Sequence, residues 1–173
     1  MTEKAELYSK AASLLSSVAE KAQEAVINLF STAGSFVLQV IFGPGYKFAI
    51  ELSKSSYQSA SMSFVIESPY EGNDVLSVDP VHGDAGGLRD VIGFALRTAF
   101  LNLAHNKGII FLDECFSQLS ESYIDSAAKA LDIITEKLGY QVMFITHDSK
   151  FIDSADNTIK IDMKGSSSYA TSI

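Results

Sequence analysis

Gly108-Ile109-Ile110-Phe111-Leu112-Asp113-Glu114 (GIIFLDE) is the stretch on which the reading of this chain turns. A continuous apolar run of this length is typical of a strand buried on both faces of a parallel sheet. On its N-terminal side, Leu88 to Asn106 reads as a long apolar helix carrying Val91, Ile92, Ala95, Leu96, Ala99, Phe100 and Leu103. Gly83-Asp84-Ala85-Gly86-Gly87 forms a glycine-rich loop in front of that helix. On the C-terminal side, Ser120 is expected to cap a helix running to Leu138, with Glu121 and Asp125 early in it and Gly139 ending it. Tyr140 to Thr146 (YQVMFIT) is a second buried strand, followed by His147-Asp148. Thr158 to Met163 is a last strand. Helices alternating with buried strands predict an α/β layer with a parallel sheet. Ligands in such sheets bind at the carboxyl ends of the strands, where both the acidic pair and His147 fall.

The first half is different. Residues 2 to about 33 read as a helix, with Leu7, Leu14, Leu15, Val18, Ala22, Ala25, Val26 and Leu29 at three- and four-residue steps. Gly34 is a candidate interruption, Phe36 to Phe42 continues the apolar pattern, and Gly43-Pro44-Gly45 stops it. Tyr46 to Leu52 and Ala60 to Glu67 then alternate as half-buried strands, suggesting an antiparallel hairpin across a polar connector, Ser53 to Ser59. Pro69 to Asn73 is a turn, and Val75 to Val78 a short third strand. The chain thus divides into a helical region (1–42), an α/β lobe (43–164) and a Ser-rich tail (165–173) expected to be flexible.

Composition sets outer limits. The chain has 173 residues, about one domain's worth, with 47% hydrophobic and 20% charged residues. That excludes a disordered tail, a collagen-like fibre and a disulfide scaffold. Cys115 is the lone cysteine, so no intramolecular disulfide can form, and a reducing compartment fits. Lys and Arg number 13 against 21 Asp and Glu, for a formal charge of −8, which argues against a chain that coats nucleic acid by itself. The N-terminus lacks a basic start followed by an apolar run, so no signal peptide is expected. No run reaches the roughly 18 to 20 apolar residues that cross a bilayer, so no membrane partner is expected. His82 and His105 have no ligand-type partners at close spacing, and Lys47, Lys54, Lys160 and Lys164 are too dispersed for a DNA patch.

The chemistry lies at the strand ends. Asp113 at a strand terminus can help hold Mg²⁺, and Glu114 beside it can take a proton from an attacking water. A solvated acidic turn after an apolar strand would fit the same residues. His147 can reach a terminal phosphate from the second strand, or can bond a backbone carbonyl as a structural histidine. The glycines before Leu88 expose backbone N–H groups that attract phosphate, or form a plain tight turn.

Taken in order, glycine loop, long helix, apolar strand with Asp-Glu, helix and strand with His resemble the C-terminal lobe of ABC-type ATPases. Among these, the sequence is most similar to the SMC-like, coiled-coil ATPase subunit of DNA double-strand-break repair exonucleases of phages and bacteria. The resemblance covers roughly residues 36 to 163. It implies the C-terminal half of an ABC-type ATPase head, a P-loop NTPase-like layered sheet, preceded by a helical coiled-coil root and antiparallel strands.

By that resemblance, Ala85-Gly86-Gly87-Leu88 corresponds to the signature loop, and Phe94-Ala95-Leu96-Arg97 to the helix behind it. Asp113 corresponds to Walker B and the Mg²⁺ ligand, Glu114 to the catalytic glutamate, Ser117 to Ser120 to the D-loop, and His147 to the switch histidine. Ala85, Gly86, Gly87, Leu88, Asp113, Ser117 and Ser120 would then contact ATP, and Glu114 and His147 would be catalytic. Ala85 replaces the family's signature serine, Cys115 stands where many members have Pro, and Ser120 where many have Asp. The implied partners are an N-terminal lobe, a second head, a nuclease subunit and, through the assembled complex, DNA, in the cytoplasm of a bacterial or phage-infected cell. A second implied reading is a non-catalytic lobe that binds and modulates an intact SMC-like ATPase.

One element is missing from the pattern. A P-loop needs G-x-x-x-x-G-K-[ST], and no segment matches it. Gly43-Pro44-Gly45-Tyr46-Lys47 has the wrong spacing and leads into a strand pattern rather than a helix. An ATPase built from this chain requires the phosphate cradle of another lobe.

Overall fold

The structure is a computed structural model that describes residues 2–54, 60–70, 74–83 and 86–173. Most of the polar connector (55–59), part of the turn (71–73) and Asp84-Ala85 of the glycine loop lie outside the described residues. Among the described residues, eleven elements follow one another. They are α1 (Thr2–Phe42), β1 (Lys47–Lys54), β2 (Ala60–Pro69), β3 (Val75–Val78), α2 (Gly86–Leu103), β4 (Ile109–Asp113), α3 (Glu121–Leu138), β5 (Gln141–Ile145), α4 (Ser149–Ser154), β6 (Ile159–Lys164) and β7 (Ser167–Ser172).

Helix α1 is continuous through Gly34, contrary to the expected interruption. The glycine serves packing instead. A Cβ there would lie 2.5 Å from Cδ1 of the Phe48 ring, so the missing side chain is what lets β1 lie against the helix. Ser35 ties the two together. Its hydroxyl accepts from the Phe48 N–H at 2.9 Å, satisfying a donor on the edge strand, and Gln39 donates to the Tyr46 carbonyl at 2.9 Å. The helix ends at Gly43 and Gly45, both at positive φ (102° and 97°), a region open to residues without a Cβ.

By length and composition alone, α1 is apolar enough to cross a bilayer, with a mean hydropathy of 1.8 over its most apolar window. This corrects the expectation that no segment is. Its last turns are nevertheless committed to protein, since Val37, Leu38 and Ile41 are buried in the core.

Strands β1, β2 and β3 form an antiparallel sheet in that order, with Phe48 opposite Ile66 and Ile66 opposite Val78. Strands β4 and β5 pair in parallel, Ile110 with Val142 and Asp113 with Ile145. A single core joins α1, β1, β2, α2, β4 and α3 through Leu38, Phe48, Ile66, Phe94, Leu112 and Ala127. Gly139 closes α3 in the left-handed region (φ 70°), its N–H donating to the Thr135 carbonyl.

Three expectations need correction. The apolar strands are covered on one face only. In β4, Ile110 and Leu112 are buried, but Phe111 is 65% exposed; in β5, Ile145 is 57% exposed. The helices supply one layer, and no second layer covers the other face among the described residues. The tail also departs from flexibility, because Ser167 to Ser172 form β7, paired antiparallel with β6. Ile159, Ile161 and Met163 stand on one face of that hairpin and are exposed. Finally, Ser120 occupies the N-cap of α3, but its side chain makes no capping hydrogen bond.

Candidate functional site

The parallel pairing of β4 and β5 brings their carboxyl ends side by side. The ladder continues one residue further, with the Glu114 N–H donating to the Ile145 carbonyl at 2.9 Å. Glu114 then leaves the strand in the left-handed region, at φ 46°. Its carboxylate meets His147, whose Nδ1 lies 3.1 Å from Oε1 and 3.0 Å from Oε2. The hydrogen bond that His147 donates to the Glu114 carboxylate, and then the charge of that carboxylate, raise the His147 pKa above the ordinary imidazole value. Both side chains reach solvent, so water has access to the pair.

His147 sits on a short, well-braced connection. Thr146 Oγ1 accepts from the Asp148 N–H at 3.1 Å, and Asp148 caps α4 by accepting from the Lys150 N–H at 2.9 Å. Lys150 in turn donates to the Glu121 carbonyl and lies 3.7 Å from Asp125, tying α4 to α3. Asp113 ends β4 with an exposed side chain.

Between the two strand ends and α3 runs a tight turn. Cys115 follows Glu114, and Phe116 is again left-handed, at φ 76°. Non-glycine residues in that region cost roughly 1–3 kcal/mol each. Burial of the Phe116 ring, 3% exposed, contributes about 1.5–3 kcal/mol and offsets the cost. The Ser117 N–H donates to the Glu114 carbonyl at 3.1 Å and the Leu119 N–H to Phe116 at 2.9 Å. Burial, and then the negative charge of Asp90, push the Cys115 thiol up to about 11, which makes it a poor nucleophile.

The remaining predicted residues form a second group. Gly86 and Gly87 are the first turn of α2, beside an open cavity of about 370 Å³ that Leu88 and Ser120 also line, with Phe42 and Tyr123. A Cβ on Gly86 would lie 1.7 Å from Gln118 Oε1, and one on Gly87 3.0 Å from the Gln118 carbonyl. The α2 N-terminus is therefore closely approached by the turn that begins at Glu114. Asp90 receives the Gln118 N–H at 3.4 Å. Ser117, exposed, stands on this turn between the two groups. Ala85 is outside the described residues.

Thus the structure brings Glu114 and His147 into contact and places Asp113 next to them in the chain. It gathers Gly86, Gly87, Leu88 and Ser120 around a neighbouring cavity. Sequence reasoning placed Gln118 within the D-loop segment but not its approach to α2, and it missed Asp90 and the aromatic anchoring of Phe116, because no local pattern announces a contact made between distant elements.

The residues fit part of a nucleotide site. One exposed carboxylate, Asp113, matches the way Mg²⁺ is held by one or two protein carboxylates together with phosphates. Among the described residues, no cluster of three His, Cys, Asp or Glu could hold a resident metal. Gly86 and Gly87 add no side chains of their own to the α2 N-terminus, as close approach to a phosphate requires, and the Gln118 side chain fills the space that a Cβ on Gly86 would take.

No family model matches the sequence. Similar folds are found among solved structures. One comes from work on ATP-driven dimerization and DNA-stimulated activation of SMC ATPases, at 18% identity and a TM-score of 0.65, with 91% of this chain and 88% of that chain covered. The Smc head domain with a coiled coil and joint from Pyrococcus yayanosii gives 21% identity and a TM-score of 0.64, over 97% of this chain and 30% of that one. The SmcHead bound to the C-winged helix domain of ScpA gives 19% and 0.64, over 85% and 43%. The chain spans nearly all of the first structure and less than half of the other two. At these identities the likeness establishes architecture, and the chain has the fold of an SMC ATPase head.

Proposed function

We propose that this chain is the C-terminal lobe of an ATP-hydrolysing head that acts in DNA repair or recombination. The observation that carries the reading is the Glu114–His147 pair at the carboxyl ends of β4 and β5, one residue beyond Asp113. Glu114 is the general base that takes a proton from the attacking water, which its exposure allows. His147, held protonated more readily by Glu114, donates to a terminal phosphate oxygen and steadies it. Asp113 helps hold Mg²⁺, which when bound neutralises charge on the phosphates. Gly86 and Gly87 offer backbone N–H groups to a nucleotide held by an opposing head, and Ser117 and Ser120 face that head.

The phosphate cradle comes from a partner lobe with a P-loop. The uncovered apolar residues of β4 and β5, Ile109, Phe111, Met143 and Ile145, support such docking, since a face this apolar is rarely left to water. The exposed Ile159, Ile161 and Met163 of the β6–β7 hairpin extend the same argument. In the assembled complex, opening and closing of two heads regulates a nuclease subunit on DNA, in the cytoplasm of a bacterial or phage-infected cell. The acidic charge leaves most DNA contact to the partners.

Co-expression with an N-terminal lobe carrying a P-loop tests the reading. The chain alone shows no turnover, while the assembled pair binds ATP, associates head to head and hydrolyses. Glu114→Gln retains ATP-dependent association and loses turnover by roughly 10²–10⁴-fold. Hydrolysis by the Glu114→Gln pair at the wild-type rate rejects the assignment.

A further inference from the structure

Phe116 is a buried aromatic residue whose backbone lies in the left-handed region, at φ 76°. A bulky residue there is a genuine outlier. Its ring makes three aromatic contacts. It meets Phe94 edge-on at 5.3 Å, Phe144 edge-on at 6.2 Å, and stacks on Phe151 at 5.9 Å with 20° between the planes. Phe144 and Phe151 also contact one another, edge-on at 4.8 Å.

The positions of those rings in the chain give the arrangement its meaning. Phe144 lies on β5 just before His147, and Phe151 lies on α4 just after it. The two rings bracket the histidine. Phe116 lies two residues beyond Glu114 and touches both. The aromatic contact therefore joins the Glu114 turn directly to the segment that carries His147. Within the turn, the Ser117 N–H donates to the Glu114 carbonyl, so a rotation at Phe116 is passed back to Glu114.

We propose that Phe116 is a positioning residue: its ring, clamped against Phe144 and Phe151, holds the left-handed turn that sets the Glu114 carboxylate against His147. The proposal rests on the reading of these two groups as the reacting pair of an ATPase, but the geometry belongs to the chain without nucleotide. Two causes of the turn make different predictions. If backbone freedom alone were needed, glycine at this position would serve as well as phenylalanine or better, because glycine adopts positive φ without steric cost. If the ring is the cause, glycine fails and a bulky apolar residue partly succeeds.

The test is the imidazole NMR signal of His147 in the full chain without nucleotide, at one fixed pH, with Glu114→Gln marking the unpaired position. Phe116→Gly and Phe116→Ala are expected to move the signal to the Glu114→Gln position, with the β4 and β5 amide signals in place. Phe116→Leu is expected to stay near wild type. A Phe116→Gly variant that keeps the wild-type His147 signal overturns the proposal. Should the small variants at Phe116 fail to fold, Phe151→Val removes the stacked ring and most of its bulk with Phe116 intact; an unmoved His147 signal there overturns it equally. In the assembled ATPase, Phe116→Ala should lower kcat by up to about 10²-fold with KM for ATP unchanged, the mark of misplacement rather than lost binding, and Phe116→Leu should keep most of the wild-type kcat. A raised KM at unchanged kcat counts against the proposal. If the wild-type assembly hydrolyses nothing, the functional reading fails while the His147 signal still decides the role of Phe116.

Discussion

His147 Nδ1 lies within 3.1 Å of both carboxylate oxygens of Glu114, across 33 residues of sequence. The pairing has a direct consequence for titration. Because Glu114 raises the His147 pKa, the folded chain holds the imidazolium more tightly than the unfolded chain does. The contribution of the pair to stability is full below the ordinary histidine pKa of about 6.5 and is lost as pH rises through the higher folded value. His147 should titrate above the ordinary value in the wild type and fall back in Glu114→Gln, as followed by NMR. Identical midpoints in the two proteins would contradict the pairing.

Gly34→Ala separates packing from propensity. In an exposed helix the change stabilises by about 0.8–1 kcal/mol. Here the new Cβ meets the buried Phe48 ring at 2.5 Å. Overpacking of that kind costs about 1–3 kcal/mol, so a net loss of stability is expected in chemical denaturation. A gain would show that β1 can move away freely.

Tyr140 is 4% exposed and its hydroxyl has no hydrogen-bond partner among the described residues. An unmade hydrogen bond in the interior costs about 1–3 kcal/mol. Tyr140→Phe should leave stability unchanged or raise it by up to about that amount. A clear loss in the denaturation midpoint would mean that the hydroxyl is satisfied in solution.

Cys115 should be slow to react. With its thiol pushed up from 9.0 to about 11 by burial and by Asp90, the thiolate is roughly 100-fold scarcer than in the unfolded chain at pH 8. Raising the folded pKa also means that stability falls as pH climbs from about 9 towards 11, because only the unfolded chain releases its proton there. Alkylation should proceed at the unfolded-chain rate only in denaturant. Rapid alkylation of the native protein would refute the burial argument.

Phe111 is 65% exposed in the middle of β4. Phe111→Asp should change the stability of the isolated chain by no more than about 0.5 kcal/mol, as for other surface changes. Association with a P-loop lobe should weaken by at least tenfold in a pull-down titration, because a charge would be buried without a partner. Unchanged association would move the docking face away from β4.

Much of this protein was legible in its residues alone. The run Ile109 to Leu112, the alternation in Phe48, Ile50, Phe64 and Ile66, and the stop at Gly43-Pro44-Gly45 specify strands and boundaries through local rules of periodicity and backbone sterics. The order of Asp113-Glu114 and His147 placed these residues at the carboxyl ends of a parallel strand pair, where the structure has them. The missing P-loop was equally plain. Tertiary structure decided the rest, because it depends on contacts between distant elements. That Gly34 makes room for Phe48, that β4 keeps one face uncovered, that the Ser-rich tail pairs as β7, and that Phe116 is locked left-handed between Phe144 and Phe151 are matters of what stands opposite each residue. Local sequence carries no such information: a periodic pattern states which face is apolar, and only the packed fold states what, if anything, covers it.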